Sequence, residues 1–92
     1  MNKVRASVRF RGRVQGVNFR AHTQKICRQH HLTGWVRNLP DGDVQALLEG
    51  RESDIRSALE ACRRGPDAVK VDDVTIDWEE YRDEFASFDI CR

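Results

Sequence analysis

The hydrophobic period of the sequence changes along the chain in an order that few folds accommodate. Apolar residues first alternate with polar ones, as in a half-buried strand, and then recur at the spacing of one helical face. The alternating residues are Val4, Ala6, Val8 and Phe10, and those at helical spacing are Thr23, Ile26, Cys27 and His30. The sequence therefore predicts a strand, a loop over residues 12–19, and a helix from about Arg20 that ends at Gly34.

A hairpin is predicted next. Residues 35–39 and 44–48 are short apolar-rich runs on either side of a Pro-Asp-Gly turn, a pattern typical of two antiparallel strands. Gly50 is the predicted end of the second strand.

A second helix and two further strands follow the hairpin. The helix has Ser53 or Asp54 as its predicted N-cap, and the pair Gly65-Pro66 stops it. The apolar positions of these three elements are Ile55, Ala58, Leu59 and Cys62 for the helix, Val74, Ile76 and Trp78 for a strand from about Val69, and Phe85, Phe88 and Ile90 for a short last strand.

This order of elements predicts an α+β fold. Strand, helix, strand, strand, helix, strand (βαββαβ) plus a short C-terminal strand is the ferredoxin-like split βαβ pattern, an antiparallel sheet with two helices on one face. We predict a single domain over residues 1–92. Because the fourth strand lies beside the first in this topology, we expect acidic and basic side chains to pair across them. The facing residues are Asp73, Asp77 and Glu79, against Arg5, Arg9 and Arg11.

Charged residues are segregated along the chain. Residues 1–40 hold nine Lys or Arg and no Asp or Glu, whereas residues 41–92 hold seven Lys or Arg and fifteen Asp or Glu, so the halves carry +9 and −8. A stretch without carboxylates suits an anionic partner and offers little to Mg²⁺ or Ca²⁺. Since the opposing strand is expected to neutralise the first strand, the informative positive charge lies in the loop and helix after it.

The predicted loop is the first candidate for chemistry. Its two glycines permit sharp turns and close approach of a ligand, and the backbone N–H groups from Gln15 to Arg20 form an anion-binding nest if the loop curls at the helix N-terminus. Arg20 adds a guanidinium fork for two phosphate oxygens. Tight connections are commoner than phosphate sites, so glycine spacing alone leaves both interpretations open. Asn38, late in the second strand, is either a turn residue or an amide that holds a water.

At these positions the sequence resembles the acylphosphatase family. Residues 12–20, GRVQGVNFR, match the family's first signature, G-x-V-Q-G-V-x-F-R. Residues 34–38, GWVRN, followed by GDV at 42–44 and by Gly50, match the second. Thr23-Gln24 and Gly65-Pro66 also fit the family, and the resemblance covers nearly the whole chain.

The resemblance implies an enzyme that hydrolyses the carboxyl–phosphate bond of acyl phosphates to a carboxylate and inorganic phosphate, without a metal or a cofactor. It implies that Arg20 binds the phosphoryl group and that Asn38 orients the attacking water. Backbone amides are expected to complete the phosphate cradle, namely those of Gln15, Gly16, Val17, Asn18 and Phe19. Inorganic phosphate and other small oxyanions are the expected site ligands.

Other chemistry-bearing side chains have simpler explanations as structural residues. Thr23 either helps to hold Asn38 or the water, or packs in the core. His22, two residues after Arg20, either flanks the site and makes binding sensitive to pH or is structural. The three cysteines, Cys27, Cys62 and Cys91, lack the spacing of a zinc site. Cys27 and Cys62 fall on the apolar stripes of the predicted helices, where a free cysteine packs as a small hydrophobic residue. Whether any two of the three pair under oxidation is left open by the sequence.

Two rival functions and the cellular setting complete the expectations. An RNA-binding sheet is disfavoured because no stretch fits the aromatic RNP signature and an acidic strand adjoins the basic one. An accessory module of a larger hydrogenase-maturation carbamoyltransferase is disfavoured by the chain end at Arg92. No signal peptide or membrane span is recognisable, and the number of cysteines is odd, so we expect a cytoplasmic monomer that binds neither nucleic acid nor membrane.

Overall fold

The computed structural model describes residues 2–65 and 69–91. Within them the chain forms five strands and two helices: β1 (Lys3–Arg13), α1 (Phe19–Gln29), β2 (Thr33–Asn38), β3 (Val44–Arg51), α2 (Glu52–Arg64), β4 (Lys70–Glu80) and β5 (Phe88–Ile90). None of the helices in this part of the chain has the length and apolarity needed to cross a membrane.

The sheet has the strand order β4-β1-β3-β2-β5, which confirms the predicted ferredoxin-like fold and the predicted neighbours of β1. β1 pairs antiparallel with β3 and with β4, and β2 and β3 form the predicted hairpin. β5 differs from the antiparallel expectation, because it pairs parallel with β2 at the far edge of the sheet. The chain after β4 must therefore pass the three inner strands before it enters β5.

The core lies between one face of the sheet and the two helices, which contact each other. Ala6, Val8 and Phe10 of β1 are at most 1% exposed, as their alternation predicts. The ring of Phe10 meets that of Phe19, the first residue of α1, edge to face with centroids 5.0 Å apart. Burial of one such aromatic ring contributes about 1.5–3 kcal/mol, so this pair fixes the start of α1 above β1.

Several predicted boundaries in the first half are wrong by a few residues. β1 continues to Arg13 through a register shift between Arg11 and Gly12, so the loop is shorter than predicted. α1 ends at Gln29, and Gly34 lies inside β2. Gly34 is needed there because a Cβ at its φ of 138° would overlap the Leu47 carbonyl oxygen of the neighbouring strand.

Boundaries in the second half differ in a similar way. Gly50 lies within β3, and α2 begins at Glu52 with Arg51 as its N-cap, so neither Ser53 nor Asp54 caps the helix. The Glu52 amide instead donates to the backbone carbonyl of Asn2. Gly65 is the C-cap as predicted, whereas the predicted stop at Pro66 lies outside the described residues. β4 begins at Lys70, one residue after the predicted start.

The arginines of β1 pair with carboxylates other than those predicted. The register does place Arg5 opposite Glu79 and Arg11 opposite Asp73, but not Arg9 opposite Asp77, which faces Ser7. Within the described residues the ion pairs run elsewhere: Arg5 to Glu49 and Glu84, Arg9 to Asp41 and Asp43, and Arg11 to Asp43. Glu49 lies directly opposite Arg5 in the β1–β3 register, and Asp43 precedes Val44, the β3 partner of Phe10, which brings it within reach of Arg9 and Arg11.

Candidate active site

The loop between β1 and α1 is held at both ends by buried side chains. Val14 and Phe19 are each 1% exposed, whereas Gly16 and Asn18 between them are exposed. Just before the loop, at the end of β1, Gly12 has a φ of 128°, and a Cβ there would overlap the Lys70 carbonyl oxygen and lie 2.9 Å from the Asp72 amide nitrogen. The loop tip is therefore presented to solvent from a fixed base.

The tip of the loop has a left-handed backbone at alternate residues. Gly16 has a φ of 74°, and Asn18 has φ 65° and ψ 19°. Asn18 is the N-cap of α1, but its side chain makes no capping hydrogen bond, and the first turn of α1 contains no acidic residue. The first amides of α1 therefore have no side-chain acceptor, which leaves the positive end of the helix dipole available to an anion.

Arg20 is the second residue of α1 and carries the charge of the site. Its Nη1 lies 3.5 Å from the backbone carbonyl oxygen of Cys91, a contact at the limit of a hydrogen bond. Across residues 2–65 and 69–91 no carboxylate forms an ion pair with Arg20. The guanidinium therefore keeps its charge and most of its donors for a ligand.

Asn38 is the last residue of β2, where it pairs with Val44. Its Oδ1 is buried and has no hydrogen-bond partner in the structure. A buried acceptor without a partner costs about 1–3 kcal/mol, so such an atom calls for a water or a ligand.

Gln15 links the loop to the hairpin that carries Asn38. Its Nε2 donates to the carbonyl oxygens of Leu39 and Asp43, each at 2.8 Å. These two residues enclose the β2–β3 turn, where the Leu39 amide also donates to the Asp43 carbonyl. The Gln15 side chain therefore fixes the end of β2 relative to the phosphate-loop candidate, a role that the sequence does not reveal.

Ion pairs from arginines of β1 also hold the β2–β3 turn. The Asp43 carboxylate accepts hydrogen bonds from Arg9 Nε at 2.6 Å and Arg11 Nε at 3.2 Å. The hydrogen bond from Arg9 lowers the pKa of Asp43 below its usual range, against the opposing effect of desolvation. Arg9 and Arg11 thus position the hairpin turn and are not available to a ligand of the site.

These elements enclose one cavity of about 640 Å³. Its lining includes most of the predicted site residues, together with three residues that were not predicted. The predicted ones are Gly16, Val17, Asn18, Phe19, Arg20 and Asn38, and the added ones are Val14, Ala21 and Ile90. Ile90 enters the wall because β5 lies beside β2, a pairing that sequence periodicity does not specify.

Two predicted site residues, Thr23 and Gln15, and one considered residue, His22, do not line the cavity. Thr23 is fully buried, and its hydroxyl has no hydrogen-bond partner among the described residues. The side chain of Gln15 binds the β2–β3 turn instead. His22 has a buried Nε2 without a partner and likewise does not line the cavity. The described residues contain no group of three or more His, Cys, Asp or Glu that fits a metal ion.

The structure thus combines a ferredoxin-like fold with a cavity at a strand–helix connection that is lined by Arg20 and Asn38. A family model for acylphosphatase matches residues 6–90. An acylphosphatase of Geobacter metallireducens is 47% identical over 88 residues, which cover 96% of this chain and 95% of that protein. Solved structures agree. The acylphosphatase of Bacillus subtilis has a TM-score of 0.93 at 34% identity and covers 97% of this chain and 99% of its own. That of Coxiella burnetii has a TM-score of 0.90 at 32% identity, with coverages of 98% and 94%.

The chain belongs to the acylphosphatase family. It is a hydrolase that acts on small-molecule acyl phosphates and splits their carboxyl–phosphate bond to a carboxylate and inorganic phosphate.

Proposed function

We propose that Arg20 binds the phosphoryl group of the acyl phosphate and that Asn38 orients the water that attacks it. The observation that carries this assignment is that two side chains of the same cavity, the Arg20 guanidinium and the Asn38 amide oxygen, have respectively no ionic partner and no hydrogen-bond partner among residues 2–65 and 69–91. Each side chain has the chemistry that the other lacks, since one is a cationic donor and the other a neutral acceptor.

The phosphoryl group is held by Arg20 together with the backbone amides of residues 15–19. The guanidinium fork binds two phosphate oxygens, and the loop with its left-handed Gly16 and Asn18 supplies converging N–H groups. Phosphoryl transfer requires mainly positioning and stabilisation of charge on the transferred group, and these donors supply both. The positive charge comes from the chain itself, so we propose that the reaction needs neither a metal nor another cofactor.

The water is held by the Asn38 amide. Its Oδ1 accepts a hydrogen from the water and thereby directs an oxygen lone pair of the water at phosphorus. No His, Asp or Glu is among the residues that line the cavity, so the water has no side-chain base there. We propose that its proton passes to an oxygen of the substrate, because the carboxylate leaving group of an acyl phosphate needs no strong base to be displaced.

We further propose the setting of this activity. Residues 1–92 act as a single monomeric domain in the cytoplasm, and inorganic phosphate competes with the substrate for the site. Free thiols at Cys27, Cys62 and Cys91 are consistent with a reducing compartment. The side chain of Thr23, buried away from the cavity, supports the fold of α1 and not the water.

The test is hydrolysis of benzoyl phosphate in the presence of EDTA. We expect Arg20→Ala to abolish measurable competition by phosphate, and Asn38→Ala to lower kcat by about 10²–10³ while phosphate affinity is kept, the loss typical of removing one positioned polar group. Arg20→Lys keeps the charge without the fork and should fall in between. Arg13→Ala, an exposed arginine at the end of β1, is the matched control and should behave as the wild type.

Three results would contradict the assignment. Equal activity of the wild type and Arg20→Ala removes the phosphate role of Arg20. A loss below about ten-fold in Asn38→Ala removes the water role, since positioned groups contribute more than that. Loss of activity in EDTA removes the metal-free mechanism.

A further inference from the structure

A buried ion pair lies outside the lining of the cavity and has no part in the chemistry proposed above. Glu49 of β3 is 1% exposed and Arg5 of β1 is 5% exposed, and Arg5 Nε donates to Glu49 Oε2 at 3.0 Å. A buried ion pair is weak evidence for stability, because desolvation offsets much of the attraction, so its position calls for another explanation.

Glu49 holds the segment that follows β4. Its Oε2 accepts the amide N–H of Arg82 at 2.8 Å and its Oε1 that of Glu84 at 3.2 Å. Arg5 reaches the same segment, since it contacts the Glu84 carboxylate and lies over the Phe85 ring at 5.3 Å. We call residues 81–87 the crossover, because they connect β4 at one edge of the sheet to β5 at the other.

The crossover leads into β5, which forms part of the cavity wall. At its end, the Ser87 carbonyl accepts the Gly34 amide, and the Cys91 amide after β5 donates to the Val36 carbonyl at 2.8 Å. β5 then places Ile90 in the cavity wall and the Cys91 carbonyl oxygen next to Arg20 Nη1. β5 has only three residues, so its position depends on what holds the segments around it.

We propose that Glu49 and Arg5 are positioning residues for Arg20: they fix the crossover, the crossover seats β5, and β5 holds the guanidinium through the Cys91 carbonyl. The inference rests on the proposed role of Arg20 in binding the phosphoryl group. It accounts for a buried charge pair on the strands that carry none of the site residues.

The electrostatics favour a rigid anchor. Burial opposes the charge on Glu49, but the two amide hydrogen bonds and Arg5 outweigh it and lower the pKa of its carboxyl group. Glu49 is therefore ionised at neutral pH, and its charge-assisted hydrogen bonds to the crossover are stronger than those of a neutral acceptor.

The test compares Glu49→Gln with Glu80→Gln, an exposed glutamate at the end of β4 that serves as the control. We expect Glu49→Gln to raise the inhibition constant of inorganic phosphate by about five-fold or more, within the range of coupling between connected residues. Glu80→Gln should leave it unchanged. Arg20→Ala is measured in parallel. If it loses phosphate affinity and Glu49→Gln does not, the inference alone fails; if Arg20→Ala keeps its affinity, the proposed function fails.

Labelling of the cysteine thiols distinguishes a local release of β5 from unfolding of the whole protein. Cys91 is half-buried next to β5, whereas Cys27 and Cys62 are fully buried between the helices and the sheet. Under native conditions a thiol reagent should label one thiol, Cys91, faster in Glu49→Gln than in the wild type, with the other two still protected. Equal acceleration of all three thiols would mean that the pair has only a structural role and would overturn the inference.

A milder variant decides the question if Glu49→Gln does not fold. Arg5→Lys keeps a cation beside Glu49 but loses the fork that also reaches Glu84. We expect a smaller change of the same kind, about two-fold in phosphate affinity with faster labelling of Cys91. Wild-type values for both measurements in Arg5→Lys would overturn the proposal.

Discussion

Replacement of Gln15 by Met tests whether the loop and the hairpin act as one unit. Met keeps the length of the side chain and removes the two hydrogen bonds to the Leu39 and Asp43 carbonyls. Each contributes about 0.5–1.5 kcal/mol net, but both carbonyls keep a second partner within the turn, so the expected loss is near the lower end, about 1–2 kcal/mol. For a domain of this size that corresponds to a fall in Tm of roughly 4–16 °C.

The effect on activity is expected to be larger than the effect on stability. Leu39 is bonded to Asn38, so release of the turn lets the amide proposed to orient the water move away from its position. A displacement of about 1 Å costs up to about 10² in rate, and we therefore expect kcat to fall about 10- to 100-fold. The inhibition constant of phosphate should change little, because Arg20 and the first turn of α1 are untouched.

The measurements are thermal unfolding followed by circular dichroism, benzoyl phosphate hydrolysis and phosphate inhibition. Gln45→Met is the matched control, since Gln45 lies on the same hairpin and its side chain accepts exposed hydrogen bonds from Arg37. Wild-type kcat in Gln15→Met, with the Tm lowered as expected, would show that the turn does not position Asn38. Equal losses of kcat and phosphate affinity would place the effect on the whole cavity instead.

Further predictions concern backbone and pH. Gly12→Ala should lower the Tm more than Gly16→Ala, because a Cβ at Gly12 overlaps the Lys70 backbone whereas nothing lies within 4 Å of one at Gly16; a larger loss in Gly16→Ala would contradict this. Glu49 has a pKa below its ordinary value of 4.5, so it stabilises the fold above that pH, and this contribution is lost as the pH falls through the lower pKa of the folded state. Between about pH 6 and about pH 2.5, thermal unfolding should therefore show a steeper loss of stability in the wild type than in Glu49→Gln, and parallel curves would refute it.

The period of the apolar residues predicts most of the fold. Alternation in β1 identifies the buried Ala6, Val8 and Phe10, and the helical stripes identify buried residues such as Ile26 and Ile55. The predictions that used a glycine as the end of an element are wrong at some boundaries. Gly34 has a positive φ for a reason that involves another strand, the close approach of the Leu47 carbonyl, and no local pattern distinguishes that from a helix end.

Which side chains pair is harder to predict than which strands pair. β4 does lie beside β1, yet Arg5 and Arg9 pair with carboxylates on the other side of β1, at Glu49, which faces Arg5 in the β1–β3 register, and at Asp43 in the β2–β3 turn. β1 has a neighbouring strand on each side, so Arg5 and Arg9 each face two strands, and a side chain as long as arginine can reach a carboxylate on either one. The sequence motifs indicate Arg20 and Asn38 but not Ile90, because the wall it forms depends on the parallel docking of β5.

The partner of Arg20 explains how the site keeps its charge in a chain with fifteen acidic residues. Carboxylates neutralise the β1 arginines on the sheet face opposite the helices, whereas Arg20 contacts a backbone carbonyl oxygen, that of Cys91 at 3.5 Å. A carbonyl orients a guanidinium as a carboxylate does, but it adds no negative charge and does not titrate. A carboxylate in its place would compete with the phosphoryl group for the same donors and would repel it. The segregation of charge along the chain fits the proposed site: the segment proposed to bind phosphate contains no acid, and the acids that pair with the β1 arginines come from later segments of the chain.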